Sequence, residues 1–306
     1  MDRVDSDAPG TTGAPGAVGT GPDVSGYVDY LVTNRDFTAP AVAAAITALA
    51  VPERDRPLRI LDAGTGGGGA VPGLLRLLGP GSGSVLAIDA DARAVAAASG
   101  RVSDPRAQIR VADLRDVAAD AAGHGGPFDL IWSSDVIWPV TFDDPAAIVA
   151  ELAGALAPGG VLALFTTNYY QSMYLPGHSR LERLIRTASE LTWGLPDDGP
   201  THYERLGAWM RQAGLQDVTL RVVPLSAATV QPAARAYLER IVWPEMRHAV
   251  AVNGRAAGMT EQDIARVGEL LDPEGPHWVG RDPDGYVVQP ALLWTGARAG
   301  GVPHGR

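Results

Sequence analysis

Cysteine is absent from the 306-residue chain, which excludes disulfide frameworks, thiolate nucleophiles, cysteine-bound zinc and iron–sulfur clusters. Lysine is absent as well, so all 25 basic residues are arginine. No Walker-A phosphate loop, lysine Schiff base or lysine general base can operate here. With the abundance of Ala, Gly and Arg, the missing lysine reads as the codon bias of a GC-rich genome. Positive charge is in short supply, with a formal net charge of −10, which argues against nucleic acid or an anionic membrane as partner. No apolar run reaches membrane-spanning length, and the first residues hold no apolar signal core. The expectation is a cytoplasmic protein. The six histidines show no metal-ligand spacing and the acids do not cluster at ligand intervals, so no metal is expected. What is plentiful is apolar: 46% of the residues are hydrophobic, enough for a full core at this length without staples.

Residues 1–22 are Gly, Pro, Thr, Ala and Asp with almost no large apolar side chain. Such a segment cannot offset its ordering entropy, and a disordered tail is expected. Order should begin near Val24, with Tyr27, Tyr30, Leu31 and Phe37 on an amphipathic segment. A second helix is expected over 41–51, with Pro40 in its first turn. Short apolar strands then alternate with helices: strands at 57–62, 84–89, 109–113, 128–132 and 159–165, with helices at 70–78, 92–99 and 145–156 between them. This rhythm means a parallel sheet covered on both faces. The second half breaks it, with helices expected over 171–194 (after a loop) and 203–212, a sixth strand at 217–223 and a mainly helical stretch at 233–271. The run 286–294 contains Pro290, which demotes it to an interrupted or edge strand. No repeat or linker divides the chain. The expectation is a single domain over 23–298 with cap insertions at about 168–202 and 231–284, and a C-terminal tail at 299–306.

Gly64 to Gly69 satisfies a G-x-G-x-x-G pattern, which alone fits any dinucleotide or nucleoside site. Glycine lets the backbone approach a ligand closely, and the following helix start offers free N–H groups. The acid before the glycines sharpens the reading. Leu61-Asp62-Ala63-Gly64-Thr65-Gly66-Gly67-Gly68 resembles the first motif of class I S-adenosylmethionine-dependent methyltransferases of the small-molecule type. A pyrophosphate turn should avoid a carboxylate, whereas the ammonium of S-adenosylmethionine is favoured by one. The resemblance implies that Asp62, Ala63, Gly64, Thr65 and Gly66 hold the methionine end, and that Asp89, with Ala90, holds the ribose hydroxyls. It also implies that Asp113 accepts from the adenine amino group while the Leu114 N–H meets the ring. Pro158-Gly159-Gly160 resembles the family's turn before the fifth strand, and the 286–294 run its last, antiparallel strand, in which Pro290 is a departure. The fold so implied is α/β: a Rossmann-like seven-stranded sheet of order 3-2-1-4-5-7-6, strand 7 antiparallel, with helices on both faces and helical cap insertions.

Ser133-Ser-Asp135-Val-Ile-Trp138 follows the fourth strand, where the family has its residues nearest the sulfonium; Ser133 is counted with the cofactor set. The chain lacks the [Asn/Asp/Ser]-Pro-Pro-[Tyr/Phe] tetrad of amino-methylating DNA enzymes. Asp135 reads either as a carboxylate that orients or deprotonates the acceptor or as a helix N-cap or Asx-turn. In Asn168-Tyr169-Tyr170, at most one tyrosine can face the methyl group, and loop packing is the alternative. His178 and His202 flank the insertion after the fifth strand, each a possible base or an ordinary surface histidine. The candidate catalytic set is thus Asp135, Tyr169, His178 and His202. Tyr27, Tyr30, Trp138, Asn168, Tyr170 and Trp243 are candidate acceptor contacts. The aromatic stripe around Trp243 reads equally as core, as a cap over the acceptor or as a dimer face.

The function expected is methyl transfer from S-adenosylmethionine to an O, N or C atom of a small-molecule acceptor, a bacterial specialised metabolite, leaving S-adenosylhomocysteine. The chain would be a monomer or homodimer. The alternative is a protein of the same fold that binds the cofactor but catalyses a rearrangement, or only binds a ligand.

Overall fold

The computed structural model describes residues 26–51, 54–79, 83–195 and 199–300. The expected tail at 1–22, the start of order at Val24 and most of the C-terminal tail lie outside the described residues.

The first helix, α1 (Tyr27–Thr47), runs unbroken through Pro40, so the expected division into two helices is corrected. Phe37, Ala41, Val42, Ala45 and Ile46 form one buried stripe across the proline. Pro40 and Asp36, whose carbonyl would have received the missing N–H, are both exposed, so water can replace the lost bond.

The strands β1 (Arg59–Ala63), β2 (Ser84–Asp89), β3 (Ala107–Val111), β4 (Phe128–Ser134) and β5 (Leu156–Thr167) pair in parallel. Between them lie α2 (Val71–Leu77), α3 (Ala92–Ser99), α4 (Leu114–Ala119) and α5 (Pro145–Gly154). Strand residues alternate between two cores. Ile60, Leu130, Trp132, Ala163 and Phe165 face one; Leu61, Ile131, Leu162 and Leu164 face the other. Burial on both sides is why these strands read as continuous apolar runs. The third strand ends two residues earlier than expected because Asp113 leaves the sheet to cap α4, its side chain accepting from the Arg115 N–H.

After β5 come α6 (Ser179–Trp193), α7 (Leu206–Gln212) and β6 (Gln216–Val223). The 286–294 run then splits at Pro290. Its first part, β8 (Tyr286–Val288), pairs with β7 (Ser226–Ala228) in a separate ribbon. Its second part, β9 (Ala291–Ala297), enters the sheet antiparallel to both β5 and β6. The sheet order is β3-β2-β1-β4-β5-β9-β6, which is the expected 3-2-1-4-5-7-6 once the ribbon is set apart. The proline therefore interrupts the run but does not make β9 an edge. Its carbonyl accepts the Asn168 N–H at 2.9 Å, fixing the segment that follows β5. The late stretch is α8 (Pro232–Tyr237), a π turn (Leu238–Val242), α9 (Trp243–Asn253) and α10 (Glu261–Leu270).

Candidate active site

The carboxyl ends of β1, β2, β3, β4 and β5 converge on one edge of the sheet, where open α/β folds bind ligands. The turn after β1 needs its glycines: Gly64, Gly66 and Gly68 have φ of 83°, 50° and 77°, values that side chains resist. The N–H groups of Gly64 and Thr65 both donate to the Ile88 carbonyl, at 2.9 and 2.7 Å, locking the turn to β2. The Gly66 N–H donates to one carboxylate oxygen of Asp89 and the Asp91 N–H to the other, both at 2.9 Å. Asp89 is thereby held rigid at the mouth, with lone pairs left over.

Asp62 is buried, and its one hydrogen bond among the described residues comes from the Thr65 hydroxyl at 2.7 Å. Burial, with some help from the Asp89 charge, pushes its carboxyl up to about 7. No arginine among the described residues offsets it. A buried, uncompensated carboxyl beneath a glycine turn fits a cationic group and would repel a pyrophosphate. Ala63 ends β1 in full burial, and Ala90 follows Asp89 in the exposed turn toward α3. Asp113 is partly exposed beside Arg115, 3.4 Å away, and Leu114 is buried behind it. Ser133 comes to the floor of the site, but its hydroxyl donates to the Ala63 carbonyl at 2.8 Å. It ties β4 to β1 and has no proton left for a ligand.

Asp135 is neither a helix cap nor an Asx-turn. It has a φ of 55°, and one carboxylate oxygen accepts from the Thr167 N–H at 2.6 Å and the Thr167 hydroxyl at 2.9 Å. It thus bridges the ends of β4 and β5, and burial pushes its carboxyl up to about 6. Beyond it the aromatics gather. Trp138 stacks on Tyr203 at 4.7 Å and meets Tyr170 edge-on at 6.5 Å. Tyr169 and Tyr170 stand nearly perpendicular, at 81°, and the buried Tyr169 hydroxyl has no hydrogen-bond partner among the described residues. Asn168 is buried and its side-chain oxygen accepts from Tyr203 at 3.5 Å. His202 lies at the outer margin of this cluster, its ring 4.5 Å from Tyr203 and its Nδ1 accepting from the Glu204 N–H.

Four candidates are displaced. His178 lines an open cleft of about 720 Å³ between α6 and α10, with Arg180 and Asp263 and without any residue of the glycine or acid motifs. The loop before it is pinned outward, because Glu182 accepts from the Tyr174 and Leu175 N–H groups and Met173 pairs with Val288. Tyr27 lies apart from the aromatic cluster, under the Arg93 guanidinium at 5.5 Å, where the charges of Asp89 and Asp91 act on it. Trp243 is core, 3% exposed and edge-on to Trp278 at 6.1 Å. Ser133, as described, is structural. The Tyr30 hydroxyl is pushed well above its ordinary range, first by burial and then by the charges of Glu245 on α9 and of Asp135. Sequence reading also passed over Glu245, an acid of intermediate exposure whose carboxyl is pushed up to about 7 by burial. The signal was present: an acid between Ile241 and Ala249 at four-residue spacing, both buried.

A sheet of this order, with an acid and a glycine turn after its first strand and further acids after the second and third, is the arrangement that the resemblance to class I S-adenosylmethionine-dependent methyltransferases implies. Residues 60–160 match the family model described as a methyltransferase domain. Over 166 residues it is 32% identical to the ubiquinone biosynthesis O-methyltransferase of Xanthomonas axonopodis pv. citri, covering 52% of this chain and 62% of that one. The corresponding protein of Xanthomonas euvesicatoria pv. vesicatoria is 31% identical over the same coverage. The chain thus spans less than two thirds of these relatives. In fold, it is similar to a chain of the Haloferax volcanii complex between the Trm112 methyltransferase activator and a methyltransferase. That likeness has a TM-score of 0.50 and 17% identity over 92% of this chain and 97% of that one. The cofactor of the family is S-adenosylmethionine.

Proposed function

We propose that the chain transfers the methyl group of S-adenosylmethionine to an O, N or C atom of a small molecule, as in bacterial specialised metabolism, releasing S-adenosylhomocysteine. The observation that carries this reading is Asp62, a buried carboxyl without a counter-charge under a positive-φ glycine turn, with Asp89 held open by two backbone N–H groups. In this reading Asp62 and the turn 64–66 hold the methionine end, Asp89 the ribose and Asp113 with Leu114 the adenine. Bound S-adenosylmethionine supplies an electrophilic methyl, so the protein's task is alignment and exclusion of water. Tyr30, Tyr169, Tyr170 and Trp138 would form the wall against which the acceptor lies. We read the chain as one domain, with the segments at about 168–202 and 231–284 as its caps, working as a monomer or homodimer in the cytoplasm. The acidic balance supports a small acceptor over a nucleic acid. No helix among the described residues is long and apolar enough to cross a membrane. Incubation with methyl-labelled S-adenosylmethionine and a metabolite pool, read by mass spectrometry, tests the reading. Label that stays on the cofactor with every pool would reject methyl transfer.

Two predictions follow from the cofactor end. Asp89→Ala should weaken S-adenosylmethionine binding by about 1–3 kcal/mol, the scale of a lost charged hydrogen-bond partner; unchanged calorimetric affinity would reject the ribose assignment. The second concerns pH. The Asp62 carboxyl lies at about 7 in the folded protein, above its ordinary range, so between roughly pH 4 and 7 the folded chain holds a proton that the unfolded chain has lost. Stability from this group therefore falls as pH rises through that window. A cationic ligand favours the ionised form, so its binding strengthens over the same rise. Affinity for S-adenosylmethionine should drop on the order of tenfold from pH 8 to pH 6, with proton release on binding at pH 6. Calorimetry in two buffers of different ionisation heat reads both effects, and Asp62→Asn should abolish them.

A further inference from the structure

The glycine run 64–69 is longer than its backbone requires. Gly64, Gly66 and Gly68 take positive φ, but Gly67 and Gly69 do not, so their lack of a side chain has another cause. That cause is α1. Leu31 and Arg35, one helical turn apart and therefore on one face, both lie against the run. A Cβ on Gly66 would meet a Leu31 Cδ at 3.7 Å, an ordinary contact. A Cβ on Gly67 would come within 3.4 Å of the Arg35 Nη1. One on Gly69 would lie 2.7 Å from the Arg35 Cγ and 3.4 Å from its Cδ. The even-numbered glycines bend the turn, and Gly67 and Gly69 make room for one arginine.

The guanidinium is as closely placed as the stem. The Arg35 side chain is only 13% exposed, and its Nη1 donates to the Gly67 carbonyl at 3.2 Å. Its Nε and Nη2 donate to one oxygen of Asp36, at 3.0 and 2.5 Å, which fixes the plane of the fork. The helix that carries it is anchored on its other flank. Phe37, roughly 200° further round the helix, stacks on Tyr237 of α8 at 4.3 Å and 9°.

The peptide that Arg35 grips is the one joining Gly67 to Gly68. Its carbonyl takes the arginine, and its N–H donates to the Thr65 carbonyl at 2.9 Å. Both residues just before this peptide hold an acid: the Thr65 hydroxyl donates to Asp62 at 2.7 Å and the Gly66 N–H to Asp89 at 2.9 Å. Arg35 itself gives no hydrogen bond to either carboxylate among the described residues. Four glycines in six residues would leave this segment loose without an outside hold, because glycine has the most conformational freedom to lose. Ordering it in advance removes that cost from ligand binding.

Resting on the methyltransferase reading, we propose that Arg35 is a positioning residue for the cofactor, acting from α1 through the backbone of the glycine turn. Its bond to the Gly67 carbonyl holds the turn in the shape that sets Asp62 and Asp89. Gly67 and Gly69 are the footprint of that arginine. Affinity for S-adenosylmethionine thus depends on a helix that lies before the first strand and outside the motif.

The test uses the full chain and its Arg35→Ala, Arg35→Lys and Gly69→Ala variants, with the Arg35→Ala/Gly69→Ala double variant and Asp129→Ala as a stability control. Calorimetry with S-adenosylmethionine is run below every melting transition. If the wild type does not bind it, the methyltransferase reading fails and this proposal with it. If the wild type binds, the variants judge the proposal alone. Arg35→Ala should bind about tenfold more weakly, the scale of a lost hydrogen bond from a charged donor. Arg35→Lys should recover part of that loss, since it keeps a long stem and a donor. Gly69→Ala, whose Cβ drives the arginine stem off the turn, should weaken binding by a similar factor. The double variant should bind no worse than Arg35→Ala, because both changes break one contact. In the cofactor-free protein, the Gly66 N–H should exchange with solvent on the order of tenfold faster in Arg35→Ala than in the wild type. Asp129→Ala should leave affinity unchanged. Unchanged affinity in Arg35→Ala, losses that multiply in the double variant, or an equal loss in Asp129→Ala overturns the proposal. Weaker binding without faster exchange at Gly66 also overturns it, and would make Arg35 a direct cofactor contact instead.

Discussion

Replacing Asp129 with alanine is expected to lower the stability of the fold by about 2–4 kcal/mol while leaving cofactor affinity unchanged. Asp129 is the second residue of β4 and is fully buried. Its two oxygens take a paired set of bonds from Arg56, at 2.9 and 2.8 Å, and one more from the Arg59 N–H at 3.0 Å. Arg54 adds an ion pair at 3.2 Å. A single carboxylate thus fastens the chain entering β1 to its neighbour in the sheet. Alanine strands the Arg59 N–H and leaves two guanidiniums without their partner. The arginines are partly exposed, so water recovers some of the loss, which sets the effect below that of a fully enclosed pair. Asp129→Asn, which keeps an acceptor oxygen for the Arg59 N–H, should cost less than half as much. Thermal melts and denaturant titrations check the ranking. Because the cluster lies at the opposite end of the strands from the glycine turn, calorimetry with S-adenosylmethionine is the control. Equal stability of wild type and Asp129→Ala would show that the pair contributes nothing net.

The position of this cluster also explains what sequence could and could not reveal. Ile60, Leu61, Val85, Leu86, Leu130 and Ile131 are apolar because both sheet faces are covered, so the strands announce themselves within a few residues of their true limits. The acids at the strand ends were legible for the same reason. Asp62, Asp89 and Asp113 each follow an apolar run, and strand ends of one parallel sheet must converge. The placement of the residues after β5 depends on contacts distant in sequence. Nothing near His178 states that Glu182 and Val288 turn its loop toward the α6–α10 cleft. Nothing near Trp243 states that Trp278 meets it and that Arg235 and Arg281 cover the outer ring, at 4.8 and 5.5 Å. Pro40 and Pro290 show the two outcomes of a local breaker. At Pro40 a buried stripe carries the helix past it. At Pro290 no packing opposes the break, and the run divides between ribbon and sheet.

The largest functional effect of a single methyl group is expected at Gly64. Its φ of 83° is a left-handed value that an alanine adopts at a cost of about 1–2 kcal/mol. A Cβ there would also lie 2.3 Å from a Val136 Cγ, closer than any real contact, so the neighbour must move. Overpacking of this kind adds about 1–3 kcal/mol. The displaced Val136 follows Asp135, whose carboxylate is tied to Thr167. A shift at the glycine turn is thereby passed to Asp135 and to the end of β5. Gly79 separates the two effects. It has a positive φ of 65° at the end of α2, but a Cβ there meets nothing within 4 Å. Gly79→Ala should therefore show only the backbone cost, about 1 kcal/mol, with cofactor binding intact. Gly64→Ala should lose about 2–5 kcal/mol of stability and more cofactor affinity than Asp89→Ala. Paired melts and calorimetry on the two alanine variants decide it. If Gly64→Ala binds S-adenosylmethionine as tightly as Gly79→Ala does, the turn is not the cofactor cradle and Asp62 must be shielded for another reason.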